Sequence, residues 1–320
     1  MMIKWISRLF DFVFPADCPA CGASVSKAGT MCSDCWGKIT WISGCVCQRC
    51  GYPFPADFGR VERCPRCIVD EVPQEDKGRS KKAEGRRAAY IYKIRAACAY
   101  DEGSKKIVLP FKHSGKVRNG KTMANSMMMG VMDIADKKSE RESSSAGSNH
   151  PLPSQTRRAA AARQARRRPG LLGIVRFSLG VAFPIRIFWN LLNHKKQQNH
   201  DIDLVVPVPL SYWRLAKRGY NQATVLARPI AKRLGVPLMT NLVARAHRND
   251  QGHKSVKERR QNIAGVFRAR NAEAVRGRHI LIVDDVITTG ATLNELARVL
   301  LRAGAAKVSA VSFARVVRDL

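Results

Sequence analysis

The stretch HILIVDDVITTGATLNEL, residues 279–296, decides the fold of this chain. The run from His279 to Val283 predicts a central strand, and two aspartates follow it directly. After a short turn, apolar residues recur from Leu293 to Leu301 at the spacing of an amphipathic helix. A strand, a loop and a helix N-terminus in this order predict a parallel α/β sheet with a ligand crevice at the carboxyl end of the strand.

The turn after the aspartates has the composition of a monophosphate site. Threonine hydroxyls can donate hydrogen bonds, glycine lets the backbone approach closely, and a helix N-terminus presents free N–H groups to an anion. The predicted phosphate residues are Thr288, Thr289, Gly290, Ala291 and Thr292. Asp284 and Asp285 can accept hydrogen bonds from a vicinal diol and help hold a hydrated Mg²⁺ directly or through water. A phosphate beside a diol describes a ribose 5-phosphate.

Eight of the ten cysteines form two repeats of one pattern, C-x2-C followed by C-x2-C. Each C-x2-C supplies two thiolates from one tight turn, and two such turns complete a closed tetrahedral site, so we expect two structural Zn²⁺ ions. Sequential pairing gives two zinc ribbons, whereas crossed pairing would join the first and third turns. The predicted ligands are Cys18, Cys21, Cys32, Cys35, Cys47, Cys50, Cys64 and Cys67.

Composition divides the rest of the chain. We expect a double zinc ribbon at 1–75, a basic linker at 76–86, and an α/β domain made of 87–136 and 201–320. Serine, proline and arginine clusters mark 137–200 as an insertion that is disordered at least to residue 170. From residue 201 the pattern predicts a strand in DIDLVVPVPL, a basic turn in SYWRLAKRGYNQ and then a helix.

The chain has 320 residues and a net charge of +31, which favours polyanionic partners such as nucleotides or nucleic acid. No cleavable export signal is apparent at the N-terminus, so we expect a cytoplasmic protein whose cysteines bind metal. Residues 171–192 are apolar, but Arg176, Pro184 and Arg186 interrupt them. A helix that lies at a membrane surface or is buried in the protein fits this stretch better than a transmembrane span.

Two sets of motifs resemble known families. VDDVITTGAT resembles the signature of the type I phosphoribosyltransferases, which bind 5-phosphoribosyl 1-diphosphate (PRPP). VPVPLSYWRLAKRGYNQ (206–222), RQNIAGVF (260–267) and LPFKHSGK (109–116) resemble segments of the ComF-like competence proteins, which join an N-terminal cysteine ribbon to a phosphoribosyltransferase domain. The resemblance covers roughly 1–136 and 201–320. The insertion has no counterpart in it, and NDQGHKS stands where a Thr-x-x-Gln type element is usual.

The resemblance implies a phosphoribosyltransferase-like fold, with Asp284 and Asp285 on the ribose hydroxyls and the following loop on the 5-phosphate. It also implies two further groups of residues. The diphosphate group is Arg214, Lys217, Arg218, Gly219, Tyr220, Asn221 and Gln222. A mobile loop over the diphosphate would contribute Arg245, Gln251, Lys254 and Arg260. The sequence identifies neither the acceptor of the phosphoribose nor a catalytic base.

A second functional class also fits the sequence. It is a single-stranded nucleic-acid-binding protein of the DNA-uptake machinery, and because ComF-like proteins are linked with natural transformation, this function and phosphoribose transfer can coexist in one chain. In the second case the phosphoribosyl site is a sensor or is vestigial. Basic runs at 77–95 and 157–168 would contact phosphates, and Trp36, Trp41 and Tyr52 would stack on bases.

Overall fold

The computed structural model describes residues 16–55, 58–59, 61–69, 90–113, 115–136, 200–245 and 265–317. The predicted linker and residues 137–199 of the predicted insertion lie outside these ranges. So do Gln251, Lys254 and Arg260 of the predicted mobile loop.

The strands, in chain order, are β1 (Ala16–Asp17), β2 (Ser24–Val25), β3 (Ile94–Ala99), β4 (Leu204–Pro207), β5 (Val243–Arg245), β6 (Phe267–Ala269), β7 (His279–Ile287) and β8 (Lys307–Arg315). The helices are α1 (Ser33–Gly37), α2 (Pro65–Val69), α3 (Glu102–His113), α4 (Asn119–Ala135), α5 (Tyr212–Arg218), α6 (Gln222–Leu234) and α7 (Ala291–Arg302).

Four strands form a parallel sheet in the order β3-β8-β7-β4. Alternate side chains of the sheet enter two different cores, as the pleat requires. Leu281, Val283 and Phe313 face a core with α3, α4 and α6, whereas Ile280 and Ile282 face a core with α7 and the β5–β6 hairpin. Helices therefore cover both faces, which confirms the predicted α/β class and explains the uninterrupted apolar run before the aspartates.

Two local predictions were wrong. Strand β7 does not end at Val283 but continues to Ile287, because β8 remains paired with it through Ile287 and Arg315. The basic segment predicted as a turn instead forms helix α5. Gly219 ends that helix in the left-handed conformation, and its N–H donates to the carbonyl oxygen of Leu215.

Strand β4 is shorter than β7, and their last paired residues are Pro207 and Val283. Beyond this point, within the part of the chain that the structure describes, β7 is paired with β8 alone, which leaves one edge of β7 unpaired at Asp284 and Asp285. The fold thereby forms a crevice at the carboxyl edge of an inner strand. Within the described residues, no helix is long and apolar enough to cross a membrane, and residues 171–192 lie outside them.

Candidate phosphoribosyl and zinc sites

The cysteines group sequentially, not by crossed pairing. In each group the four Sγ atoms lie within 4.8 Å of one another. Zinc bound at about 2.3 Å by four thiolates in a tetrahedron requires sulfur separations of about 3.8 Å. The observed separations are 3.7 Å for Cys21 and Cys32 and 3.7 Å for Cys50 and Cys64. Both sites therefore fit structural Zn²⁺, with no ligand position left over for chemistry.

Each cluster stabilises one thiolate, the form that binds zinc, whereas burial raises the pKa of Cys35 to about 12 and the hydrogen bond with Cys47 raises the pKa of Cys50 to about 11. Burial raises the pKa of Cys18, but backbone N–H donors from Cys32 and Cys21 outweigh it and bring that pKa to about 6. Hydrogen bonds from the Cys50 and Cys67 thiols hold the pKa of Cys47 far below its usual range. The backbone N–H of Cys64 also donates to the Cys47 sulfur over 3.3 Å.

The acidic pair lies in the second half of β7, with Asp285 buried and Asp284 half-buried. The backbone N–H of Asp285 donates to Oδ1 of Asp284 over 2.9 Å, which fixes that side chain. Burial, and then the neighbouring charge of Asp285, raise the pKa of Asp284 to about 8. The Asp284 carboxyl therefore keeps its proton to a higher pH than an ordinary aspartate.

Lys112 is the cation that contacts this pair. Its ammonium, at the C-terminal end of α3, lies 3.1 Å from Oδ2 of Asp285. Lys112 belongs to the segment LPFKHSGK, but nothing near it in the chain indicates a carboxylate partner. The charges of Lys112 and Arg245 both act to lower the pKa of Asp284, yet burial and Asp285 outweigh them. Among the described residues, Lys112 is the cation in an ion pair with these two carboxylates, and the oxygen atoms of the pair are ligands suited to Mg²⁺.

The predicted phosphate residues follow the acidic pair as a loop and the first turn of α7. Gly290 is the residue before the helix, with φ of 73°, and no side chain caps the helix there. Ala291 N–H has only a long contact, 3.4 Å, to Oγ1 of Thr289, and Thr288 is exposed. The helix N-terminus is therefore open to an anion, which would supply the missing cap.

Some of the predicted diphosphate residues are exposed, whereas others contact the rest of the protein. Arg214 and Lys217 are exposed on α5. Asn221 instead has a structural role, because its side chain donates to the Val208 carbonyl over 3.0 Å and accepts from the N–H of Ala223 at the start of α6. It ties the end of β4 to that helix.

Tyr220 lies beside the acidic pair. Burial raises its pKa, and the charge of Asp285 adds to that rise. Its hydroxyl donates to the carbonyl oxygen of Phe111, the residue before Lys112. Arg218 donates to Oε1 of the buried Gln222 over 3.1 Å. The crevice therefore brings together Asp284, Asp285, Lys112, Tyr220 and Arg245.

The residues predicted to bind nucleic acid differ in their exposure to solvent. Trp36 is half-exposed and stacks on Trp41 with ring centroids 4.2 Å apart, while Tyr52 packs with the second cysteine cluster. Of the basic run 77–95, the described cations Lys93 and Arg95 are buried and contact Asp133, so the prediction that they contact phosphates is wrong. Sequence reasoning failed here because basic side chains inside a strand are not distinguishable from exposed ones by charge alone.

Comparisons with known proteins agree with this architecture. Residues 9–68 match the family described as double zinc ribbon domain, and residues 221–318 match the phosphoribosyl transferase domain. Competence protein F of Haemophilus influenzae is 37% identical over 124 residues, covering 37% of this chain and 54% of that protein. DNA utilization protein YhgH of Escherichia coli (strain K12) is 40% identical over 107 residues, covering 33% and 46%. Competence protein ComFC of Bacillus subtilis is 38% identical over 113 residues, covering 35% and 44%. The matched part of the chain thus spans about half the length of these relatives.

Proposed function

Since this chain is a homologue of competence proteins F and ComFC and of DNA utilization protein YhgH, we propose that it binds PRPP with Mg²⁺ and transfers phosphoribose to an acceptor. The observation that carries this proposal is the acidic pair directly before an uncapped helix N-terminus, at an open strand edge. Carboxylates suited to a ribose diol and N–H groups suited to its 5-phosphate lie on consecutive residues.

Different residues bind different parts of PRPP. Asp284 and Asp285 accept hydrogen bonds from the 2- and 3-hydroxyls of ribose, and residues 288–292 enclose the 5-phosphate. Mg²⁺, held by the acidic pair directly or through water, supplies positive charge for the diphosphate. Arg218 and the exposed cations of α5 face the same leaving group, and closure of the segment that includes Arg245 excludes water.

Transfer breaks the bond between the anomeric carbon and the diphosphate oxygen while the acceptor bonds to that carbon. The site lowers the barrier by fixing the ring and by stabilising the charge that develops on the departing diphosphate. We also propose that the protein acts in DNA uptake, as the names of the relatives suggest, and that it is cytoplasmic. In the proposed domain division, the ribbons occupy residues 1–75, and the transferase domain consists of 87–136 and 201–320.

Thermal unfolding with a set of ligands tests the proposal. PRPP with Mg²⁺ at 100 times its Kd should stabilise the full chain by about 2.7 kcal/mol. Because the net charge is +31, any polyanion binds to some extent, so ATP with Mg²⁺ is the necessary control. Equal stabilisation by ATP and PRPP would mean general charge attraction and would refute a phosphoribosyl site.

The acceptor is identified by diphosphate release. The protein is incubated with PRPP, Mg²⁺ and a panel of nucleobases and amines, and diphosphate is measured. One acceptor that accelerates release establishes the transferase. If PRPP binds but no acceptor accelerates diphosphate release, the result favours a non-catalytic nucleic-acid-binding protein in which the phosphoribosyl site is a sensor or is vestigial.

Helix α5 favours single-stranded nucleic acid as a second ligand. It has no buried residue, and Tyr212 and Trp213 are about 70% exposed beside Arg214 and Lys217. Aromatic faces next to cations are suited to stacked bases and phosphates. Replacement of Tyr212 and Trp213 by alanine should weaken oligonucleotide binding while leaving the salt slope of that binding unchanged. Unchanged affinity would remove α5 from this role.

A further inference from the structure

The second cysteine cluster reaches the phosphate loop through one arginine. Arg66 lies on α2 between the zinc ligands Cys64 and Cys67, and its Nη2 donates to the carbonyl oxygen of Thr289 over 3.2 Å. Thr289 is the residue before Gly290, the N-terminal cap position of α7. A residue set by zinc coordination therefore contacts the loop that receives the 5-phosphate in the proposed function.

The cluster is fixed against the sheet by hydrogen bonds to its first knuckle, residues 47–50. The N–H of Ile94 donates to the carbonyl of Arg49 over 2.7 Å, and Nη1 of Arg95 donates to the carbonyl of Gln48 over 3.0 Å. Arg315, at the end of β8, donates to the carbonyl of Cys50. These donors come from β3 and β8, and β8 is paired with β7, the strand that carries the acidic pair.

The backbone of Gly51 lies so close to β3 that the position of the second ribbon on the sheet is restricted. A Cβ at this residue would lie 2.5 Å from the carbonyl oxygen of Ile94, and φ of Gly51 is 66°. Any other residue would push the ribbon away from β3. The position of Arg66 is thus determined by zinc on one side and by the sheet on the other.

The contact controls the direction of one N–H group. The carbonyl of Thr289 and the N–H of Gly290 belong to the same trans peptide and point in opposite directions. Holding the carbonyl outward turns the Gly290 N–H toward the inside of the loop. Because Gly290 has φ of 73° and no Cβ, this peptide would otherwise rotate at little cost.

We propose that Arg66 is a positioning residue for phosphate binding: anchored by the second zinc site, it holds the Thr289–Gly290 peptide so that the Gly290 N–H faces a phosphate monoester. The inference rests on the proposed function, in which this loop binds the 5-phosphate of PRPP. It makes the second ribbon part of the ligand site, not a separate module.

The test compares Arg66→Ala and Arg66→Lys with the control Lys27→Ala, which removes one exposed charge from the first cluster. Calorimetry gives the Kd of each protein for ribose 5-phosphate, for PRPP with Mg²⁺ and for diphosphate with Mg²⁺. Arg66→Ala should bind ribose 5-phosphate and PRPP about tenfold more weakly, as expected for one lost hydrogen bond to a charged group. Its affinity for diphosphate should be unchanged.

Two further readouts separate positioning from general damage. Arg66→Lys should recover part of the affinity, since an ammonium donates to the same carbonyl, and all variants should retain two zinc ions. In ¹⁵N spectra, the shift of the Gly290 amide on addition of ribose 5-phosphate should be large in the wild type and in Lys27→Ala but small in Arg66→Ala. Parallel losses for all three ligands, or loss of zinc from Arg66→Ala, would show a structural role only and overturn the inference.

The outcomes distinguish the inference from the proposed function. If the wild type binds PRPP and Arg66→Ala binds it equally well, only the inference is overturned. If the wild type does not bind PRPP, the proposed function fails and the inference fails with it.

Discussion

The ammonium of Lys112, in α3, lies 3.1 Å from a carboxylate oxygen of Asp285, in β7. The two residues are far apart in the chain and meet only because α3 packs beside the sheet with its C-terminal end at the carboxyl edge of β7. This ion pair compensates the carboxylate of Asp285. The other carboxyl, Asp284, has a raised pKa, and its ionisation determines how the site responds to pH, metal and ligand.

The first prediction concerns the pH dependence of ligand binding. Asp284 has a raised pKa of about 8, and it must ionise to hold Mg²⁺. Affinity for PRPP with Mg²⁺ should therefore increase from pH 6.5 to pH 8.5 and level off above it. Calorimetry at pH 7 in buffers of different ionisation enthalpy should detect release of about one proton per ligand. A binding enthalpy that is the same in all buffers would contradict this.

Lys112→Ala should move that pH dependence. The ammonium acts to lower the pKa of Asp284, so its removal lets the pair keep its proton to higher pH. The midpoint of PRPP binding should rise by up to about one pH unit. Lys105→Ala is the matched control, since Lys105 is on the same helix but pairs with Glu102 at its exposed side. An equal midpoint in both variants would remove Lys112 from the site.

Asp284→Asn should stabilise the protein without ligand at alkaline pH. A carboxyl whose pKa is higher in the folded state than in the unfolded state costs stability as the pH rises from its usual pKa near 4 to the folded value near 8. The variant has no such cost, so its gain in the free energy of unfolding should increase over this range and then become constant. Chemical unfolding from pH 4 to pH 9 measures it, and a gain that does not change with pH would show that Asp284 has no raised pKa.

Asp201 lies at the opposite end of the sheet from the acidic pair, beside the first residues of β7 and β8. Burial acts to raise its pKa, but hydrogen bonds from His279 and Lys307 outweigh this effect and hold it well below its usual range. Oδ2 lies 3.1 Å from Nδ1 of His279, whose Nε2 contacts the hydroxyl of Ser309 at 2.8 Å. These side chains resemble a catalytic triad, but His279 and Ser309 are buried, so their role is structural.

Asp201→Asn should therefore lower the free energy of unfolding at neutral pH by about 1 to 3 kcal/mol. A lowered acidic pKa contributes stability above the unfolded pKa near 4, and this contribution is lost as the pH falls from there toward the folded value. The difference between variant and wild type should shrink over that range, with the affinity for PRPP unchanged throughout. A variant as stable as the wild type at pH 7 would contradict the structural role.

Sequence alone predicted the parts that depend on local pattern. The C-x2-C spacing predicted two cysteine clusters, and the apolar run with VDDVITTGAT predicted an acidic pair on an inner parallel strand, followed by a loop and a helix. The missed residues depend on long-range contacts. Neither Lys112 nor Arg66 has a local signal for its partner, because Asp285 and Thr289 are brought to them only by the packing of α3 and of the second ribbon. The spacing of the cysteines permits both sequential and crossed pairing, so the sequence alone does not determine which four cysteines form each site.

The most direct measurement is the affinity of the full chain for PRPP in the presence and absence of Mg²⁺, compared with Asp284→Asn combined with Asp285→Asn. Asparagine keeps the shape of both side chains but removes the charges that hold the metal and accept strongly from the diol. The account predicts Mg²⁺-dependent binding in the wild type and a loss of about 100-fold or more in the double variant, as expected for two charged contacts. Equal affinity of the two proteins for PRPP with Mg²⁺ would contradict it.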